Sequence, residues 1–122
     1  MIDMANGEVP KEVSDKVLRL VEMAKNTGKV KKGVNETTKF IERGLAKLVV
    51  IASDVEPKEI VMHLPALCGE KKIPYVYVPS KMELGRAAGI DVPTAAIGIT
   101  EISEGKDIFK EILAKITQPK KE

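Results

Sequence analysis

The chain has 122 residues, a net charge of +2, 43% apolar residues and 31% charged residues. These values fit one globular domain over residues 1–122 that buries roughly two-thirds of its unfolded-chain surface. The single cysteine, Cys68, excludes an internal disulfide and a cysteine-based zinc site. No apolar run approaches the ~20 residues of a membrane-spanning helix, and the N-terminus lacks a signal-peptide pattern. We therefore expect a cytoplasmic protein with no membrane partner.

The basic residues are unevenly distributed. Residues 29–47 contain six basic and two acidic residues, a local charge of +4, which leaves −2 for the rest of the chain. This asymmetry is typical of a protein with one basic face. A solvated, lysine-rich surface explains the charge equally well.

The first half of the chain predicts two helices separated by a weak strand. Pro10 opens an amphipathic helix, with apolar residues at positions 13, 17, 20, 21 and 24. A weak strand near Val30 precedes a second helix that runs from Asn35 to about Arg43. Asn35 is a favourable N-cap residue, and Gly44 is expected to be the C-cap.

Two convincing strands flank a third predicted helix. Residues 48–52 form a continuous apolar run that suits a strand buried on both faces, and residues 74–78 form the second strand. Between them, Pro65 predicts a kink or an early first segment of the helix. The expected inner face of this helix consists of Ile60, Leu64, Leu67 and Cys68.

The remaining elements complete an alternating pattern. Ser80 and Glu83 form a capping-box signature for a short helix that ends near Gly89. Residues 94–99 predict a strand, and the last helix starts at Ser103 or Glu104. Its inward-facing residues are Ile108, Ile112, Leu113 and Ile116, and residues 118–122 are expected to form a frayed tail.

Helices that alternate with buried strands predict an α/β fold, a three-layer α/β/α sandwich around a small, mostly parallel or mixed sheet. Ligands in such folds gather where loops leave the strand ends and helices begin. The loops at residues 31–36, 52–57, 79–82 and 90–95 are therefore candidates for one shared site.

An enzymatic site has little support among the residues. His63 and Cys68 lie about 140° apart on a helix, so they cannot form a nucleophile–base pair. No glycine-rich phosphate fingerprint occurs. Asp54 and Glu56 could act as an acid/base pair, but two acids in one loop, with no histidine or metal ligand beside them, are a weak signal for catalysis. Capping of the third helix is the simpler role for their loop. We expect no catalytic residue, metal ligand or cofactor. The alternative is a small α/β enzyme or nucleotide-binding domain that uses Asp54 and Glu56.

The basic turn and the start of the second helix fit RNA recognition. Glu36 is an acid within a basic surface, and a carboxylate accepts hydrogen bonds from the N–H groups of bases. Asn35 would read base edges beside it, while Lys32, Lys39 and Arg43 would hold phosphates. Aromatic residues are too scarce for a single-strand stacking platform. On the pattern alone, a capped surface helix explains the same residues.

Several segments together resemble the kink-turn RNA-binding protein family. Lys-Gly-Val-Asn-Glu-Thr-Thr-Lys at residues 32–39 is similar to the family signature. Residues 52–57, 74–78, 80–89 and 90–93 follow in the family's order, so the resemblance covers nearly the whole chain. The pattern is most similar to archaeal members that belong to the large ribosomal subunit.

The resemblance implies an α/β/α protein that binds kink-turns, which are RNA bends with tandem sheared G·A pairs and a flipped-out nucleotide. It implies that Asn35, Glu36 and Lys39 contact the guanine edges, with Lys32 and Gly33 against the backbone. The flipped-out base would meet residues from separate loops: Glu56, Ile60, Lys81 and Ala95 line its pocket, Val92 and Pro93 pack on it, and Asp54 orients the neighbouring loop or helix-start groups.

The family also implies partners. They are ribosomal RNA, guide RNAs for 2′-O-methylation and pseudouridylation, archaeal RNase P RNA, and the other proteins of those particles. Eukaryotic spliceosomal and nucleolar relatives carry a basic residue where this chain has Val92, so the resemblance implies a more permissive binder. The free protein is expected to be monomeric.

Overall fold

The computed structural model describes residues 11–26, 29–56, 58–101 and 106–117. Its elements, in chain order, are α1 (Lys11–Asn26), β1 (Val30–Lys32), α2 (Val34–Glu42), β2 (Leu48–Ala52), a short 3-10 helix (Lys58–Ile60), α3 (His63–Lys71), β3 (Tyr75–Val78), α4 (Lys81–Ala87), β4 (Ala96–Ile99) and α5 (Lys106–Thr117). None of the described helices is long and apolar enough to span a membrane.

The four strands form one mixed sheet in the order β1-β4-β2-β3. β2 and β3 are parallel, whereas β4 runs antiparallel to both β1 and β2. Every residue of β2 and β4 is buried. Central strands covered on both faces need apolar side chains in both directions, which explains their continuous rather than alternating apolar sequences.

Helices cover both faces of the sheet. α2 packs on β4 and beside α3, while α1 packs against α4 and α5 on the other face. The core between the layers includes Val17 and Leu20 of α1, Ile41 of α2 and Ile112 of α5. The predicted three-layer α/β/α sandwich with a small mixed sheet is confirmed, as is the weak strand near Val30.

The predicted cap of the second helix is wrong. Gly33, not Asn35, is the N-cap, and no side chain caps this end. Gly33 has φ 95° and ψ 158°, a backbone conformation that is essentially restricted to glycine. Its N–H donates to the carbonyl of Ala96, 2.9 Å away. Because this contact with β4 fixes where the helix begins, Asn35 lies within the first turn.

The other end of α2 also differs from the prediction by one residue. Arg43 is the C-cap and Gly44 follows it with φ 71°. The N–H of Gly44 donates to the Ile41 carbonyl, and the N–H of Leu45 donates to the Phe40 carbonyl, both at 2.9 Å. These paired bonds form a Schellman motif, which ends the helix and satisfies two of its last carbonyls.

The third helix has an early first segment, as Pro65 predicted. The 3-10 helix precedes α3, and Pro65 then lies in the first turn of α3, where its missing N–H costs little. Leu64 and Cys68 are buried and Leu67 is half-buried. Ile60, however, is 44% exposed, so its assignment to the inner face is wrong. The separate 3-10 segment turns it away from the helix face.

The last two helices test the remaining predictions. Ser80 is the N-cap of α4, and its hydroxyl accepts the N–H of Glu83 at 3.1 Å, as the capping-box signature predicted. Along α5, Ile112 is buried, whereas Ile108 and Leu113 are half-buried. The predicted start at residues 103–104, the tail at 118–122 and the Ile116 side chain lie outside the description.

Candidate nucleic-acid interface

Four loops converge at one edge of the sheet, as the sequence predicted. β1, β2 and β3 all end there and β4 begins there, because β4 runs antiparallel to its neighbours. Backbone hydrogen bonds join the loops: the N–H of Ala52 donates to the Ala95 carbonyl, and the N–H of Ser53 donates to the Val78 carbonyl, both at 2.9 Å. The residues that leave this edge therefore occupy a common platform.

The polar face of α2 borders this platform. At about 100° per residue, Asn35, Glu36, Lys39 and Arg43 fall within an arc of roughly 100°. All four are exposed, and the buried residues of the helix lie on its opposite side. The helix thus displays an amide, a carboxylate and two cations on one continuous stripe, about 12 Å long.

Glu36 and Lys39 form an exposed ion pair on this stripe. The Lys39 Nζ and the Glu36 Oε2 lie 3.7 Å apart, and each side chain is about half exposed at 50%. A pair at this helical spacing contributes only about 0.2–0.5 kcal/mol. Because this ion pair is weak, a ligand that donates stronger hydrogen bonds to the Glu36 carboxylate can readily displace Lys39 from it.

The start of α2 strengthens the positive character of the platform. The first helical bond runs from the N–H of Thr37 to the Gly33 carbonyl, so the preceding N–H groups have no intrahelical partner. A helix N-terminus carries a partial positive charge and favours anions. Lys32, which precedes Gly33, is exposed beside it.

Lys31 and Phe40 form a basic cluster with Arg43 that sequence reasoning missed. The Lys31 Nζ lies 4.8 Å from the centroid of the Phe40 ring, and the Arg43 guanidinium carbon lies 6.0 Å from it. Cations near an aromatic ring are attracted to its face. The ring thus anchors two cations, one from β1 and one from the end of α2. An aromatic residue between basic positions is the only sequence signal for this contact.

Asp54 has a structural role in the platform. Its Oδ1 accepts the backbone N–H of Lys81 at 2.9 Å. Asp54 therefore caps α4, whereas the sequence had suggested that its loop caps the third helix, α3. A carboxylate at a helix N-terminus is favourable because it pairs with an otherwise unpaired N–H. This bond fixes the loop of residues 52–56 against the start of α4. Glu56, in the same loop, is exposed.

The loop that contains Val92 and Pro93 lies directly on α4. The N–H of Thr94 donates to the Lys81 carbonyl at 3.1 Å, and the N–H of Ile90 donates to the Gly85 carbonyl at 3.0 Å. A methyl group on Gly85 would collide with the Val92 carbonyl oxygen, and it would lie 3.3 Å from the Pro93 Cα. Glycine at this position therefore lets the loop approach the helix.

A glycine inside a predicted helix is only a weak sequence signal for this role of Gly85. The contact leaves an apolar tip exposed, since Val92 is 58% exposed and Pro93 is also exposed. Met82, in the first turn of α4, is 49% exposed and was also missed. Ile60, in the 3-10 helix, is also exposed, while Ala95 and Lys81 are partly buried. Such apolar surface in a polar surround is a common feature of binding sites.

The histidine and the cysteine are separated by the structure. His63 is exposed, and its Nε2 lies 2.8 Å from the Thr38 Oγ1. Cys68 is fully buried, and burial raises the pKa of its thiol to about 12. A buried, protonated thiol is a poor nucleophile, which agrees with the predicted core role. Within the described residues, no three His, Cys, Asp or Glu side chains are grouped as a metal site would require.

Fold and sequence together define the class of protein. The model of the Ribosomal protein L7Ae/L30e/S12e/Gadd45 family matches residues 15–109, and the chain belongs to this family. Among solved structures, it is similar to the Giardia lamblia 15.5kD RNA binding protein, with 37% sequence identity and a TM-score of 0.88. The match covers 97% of this chain and 98% of that chain.

Proposed function

We propose that this protein binds RNA and that it recognises and stabilises kink-turn motifs. The observation that carries the proposal is the convergence of the polar stripe of α2 with three other loops at one edge of the sheet. Family membership and the similarity to an RNA-binding protein of known structure support it. The 15–109 match leaves few residues outside one domain, which supports a single RNA-binding domain over residues 1–122.

The stripe on α2 supplies groups for reading the sheared G·A pairs. The Glu36 carboxylate accepts hydrogen bonds from guanine N–H groups, and Asn35 both donates to and accepts from base edges. Lys39 leaves its weak ion pair to contact the RNA. Lys32, Arg43 and the open start of α2 attract phosphates on either side. Because A-form RNA hides its major-groove edges, these groups can read bases only where the RNA is sharply bent.

The second half of the proposed site holds the flipped-out nucleotide. The exposed Val92-Pro93 tip covers one side of the base, and the apolar Ile60 and Ala95 supply further contact. Glu56 and Lys81 supply polar groups for its edge and its phosphate. Asp54 acts indirectly, because it fixes the start of α4 where Lys81 lies.

The two halves give the protein a mechanism for stabilising the bend. The guanine edges and the protruding base are presented together only in the kinked RNA, so the protein binds that state more tightly. Differential affinity shifts the RNA population toward the kinked form without any chemical step. We therefore assign no catalytic role to the protein, and in an RNA-processing particle the catalysis belongs to other components.

The proposed kink-turn binding implies a role in several RNA particles. We propose that it is a cytoplasmic component of the archaeal large ribosomal subunit, of guide-RNA particles for 2′-O-methylation and pseudouridylation, and of RNase P. The apolar Val92 tip carries no charge that would select one kink-turn, which favours permissive binding. An enzyme that uses Asp54 and Glu56 is disfavoured, since Asp54 already accepts a helix N–H.

The first experiment compares a kink-turn RNA with the same RNA in which both G·A pairs are changed to Watson–Crick pairs. We expect the protein to bind the kink-turn at least roughly a hundredfold more tightly, since each lost base contact is worth about 1–3 kcal/mol. Fluorescence anisotropy measures both affinities, and fluorescence transfer between labelled RNA arms measures the bend. Equal binding of the two RNAs would contradict the proposal.

Glu36→Ala tests the reading group directly. It should weaken kink-turn binding by about 1–3 kcal/mol while the weak binding to the Watson–Crick duplex remains. Glu22 is an exposed acid on α1, in the other helical layer, so Glu22→Ala makes the same charge change and should have no such effect. An unchanged affinity for Glu36→Ala means that the acid does not read bases.

Lys39→Ala should weaken kink-turn binding and also reduce the slope of log affinity against log salt concentration by about one, the value expected for one phosphate contact.

A further inference from the structure

A second concave surface lies at the opposite edge of the sheet. A cavity of about 440 Å³ is lined by Lys47, Glu101, Lys106, Phe109, Lys110 and Leu113. Lys47 precedes β2 and Glu101 follows β4, so both lie at the edge away from the four converging loops. We call this surface the α5 groove. The α5 groove is thus separated from the converging loops by the length of the strands.

One flank of the amphipathic helix α5 forms a wall of the α5 groove. Ile112 of α5 is buried in the core, and Glu111 pairs with Lys16 of α1 at 2.8 Å. These contacts fix the rotation of the helix. The other flank carries Phe109 and Leu113 at i,i+4, and both are only half-buried. At about 100° per residue, this apolar pair lies roughly 60–100° from Ile112, along the rim of the core.

A row of lysines borders the apolar pair. Lys106 and Lys110 are also spaced i,i+4, lie next to Phe109 and Leu113 on the helical wheel, and are exposed. Lys47 contributes a third exposed cation from the far wall. Among the lining residues that the structure describes, the acid is Glu101, which pairs with Lys29 at 3.5 Å. The groove therefore combines an apolar floor with a positive rim.

We propose that the α5 groove binds an amphipathic, acidic helix of a partner protein. Apolar residues of that helix at i and i+4 would pack on Phe109 and Leu113. Its Asp or Glu residues, spaced one turn apart, would face Lys106 and Lys110. A helix that packs beside α5 can match the i,i+4 spacing of the apolar pair and that of the two lysines together. This is the geometry of helix-in-groove recognition. Complementary charge fixes the orientation and the register of such a helix.

The probe is a fluorescein-labelled, capped 14-residue peptide with leucines along one helical face and glutamates beside them. Three peptides are compared on the full chain: this peptide, one with lysine in place of every glutamate, and a scrambled version of the first. Anisotropy measures affinity, and amide shifts in two-dimensional NMR locate the contact. We expect only the first peptide to bind measurably, with shifts at residues 106–113 and near Lys47.

The double variant Lys106→Glu/Lys110→Glu tests the charge argument. Both residues are exposed, so the fold should survive, and peptide binding should weaken roughly tenfold or more. Lys71→Glu/Lys72→Glu, at the exposed end of α3 in the opposite layer, makes the same change in net charge and should retain the affinity. Kink-turn RNA binding should be the same in the two double variants.

Several outcomes overturn the proposal. They are no binding of the first peptide, equal binding of the scrambled peptide, or shifts confined to the converging loops. An equal loss in the two double variants leaves only a general charge effect. If Lys106→Glu/Lys110→Glu selectively weakens RNA binding, the groove is an RNA contact. If it changes the sedimentation of the protein alone, a second copy of this chain occupies the groove.

Discussion

The close contact between the Val92-Pro93 loop and α4 can be tested by adding one methyl group, at Gly85. Gly85→Ala places a Cβ 3.1 Å from the Val92 carbonyl carbon and closer still to its oxygen. The obstacle is backbone, so no side-chain rotation relieves the clash. The loop would have to retreat by roughly 1.4 Å before the contact became ordinary.

Two opposing terms set the size of the effect. Overpacking of this kind typically costs about 1–3 kcal/mol. Alanine gains about 0.8–1 kcal/mol over glycine within a helix, and no left-handed conformation occurs at Gly85. The difference between these terms is a net loss of about 0–2 kcal/mol, and each kcal/mol lost lowers Tm by about 3–5 °C for a chain of this size.

Gly69→Ala is the matched control. Gly69 also lies in a helix, α3, but a Cβ there meets nothing within 4 Å. This variant should be more stable than the wild type by up to about 1 kcal/mol. Urea unfolding at equilibrium measures both variants, and their difference isolates the clash. If Gly85→Ala is stabilised as much as Gly69→Ala, the close approach has no energetic importance.

The same variant also reports on the proposed RNA contact. A displaced loop should lose part of its contact with the flipped-out base, a stacking-type contact worth about 1–3 kcal/mol. Gly85→Ala should therefore weaken binding of an intact kink-turn. It should have little effect on a kink-turn with an abasic nucleotide at the flipped-out position. An equal loss on both RNAs would show that the loop does not contact the base.

Three other predictions concern the fold around the site. Gly33→Ala should destabilise the protein by about 1–3 kcal/mol in urea unfolding, because φ is 95° although a Cβ there meets nothing within 4 Å; wild-type stability would show that α2 can start elsewhere. Thr37→Val should stabilise by about 1 kcal/mol, since the buried Thr37 Oγ1 has no hydrogen-bond partner in the described structure; a loss of stability would show that this hydroxyl is hydrogen-bonded. Burial raises the pKa of Cys68 from 9.0 to about 12, so stability from this group is fully present below pH 9 and falls between about pH 9 and 12, where only the unfolded thiol ionises. Unfolding of Cys68→Ala against the wild type across that range measures this slope, and parallel pH profiles would contradict it.

Elements whose signals are local were predictable before the chain was folded. Alternating buried strands and amphipathic helices identified the three layers, because periodicity of apolar residues reports directly on burial. The run at residues 48–52 predicted a strand covered on both faces, and every residue of β2 is buried. The Ser80 cap was also predictable, since the hydroxyl and the N–H that it accepts are three residues apart.

Features that depend on contacts between distant residues could not be predicted in this way. Asn35 has good N-cap chemistry, yet Gly33 caps α2 because β4 takes its N–H. Asp54 caps a helix 27 residues away rather than the one that follows it. Gly85 and the α5 groove gave no specific sequence signal, since a close approach or a concave surface exists only after separate elements pack. Local propensity selects which structures can form, and long-range contacts choose among them.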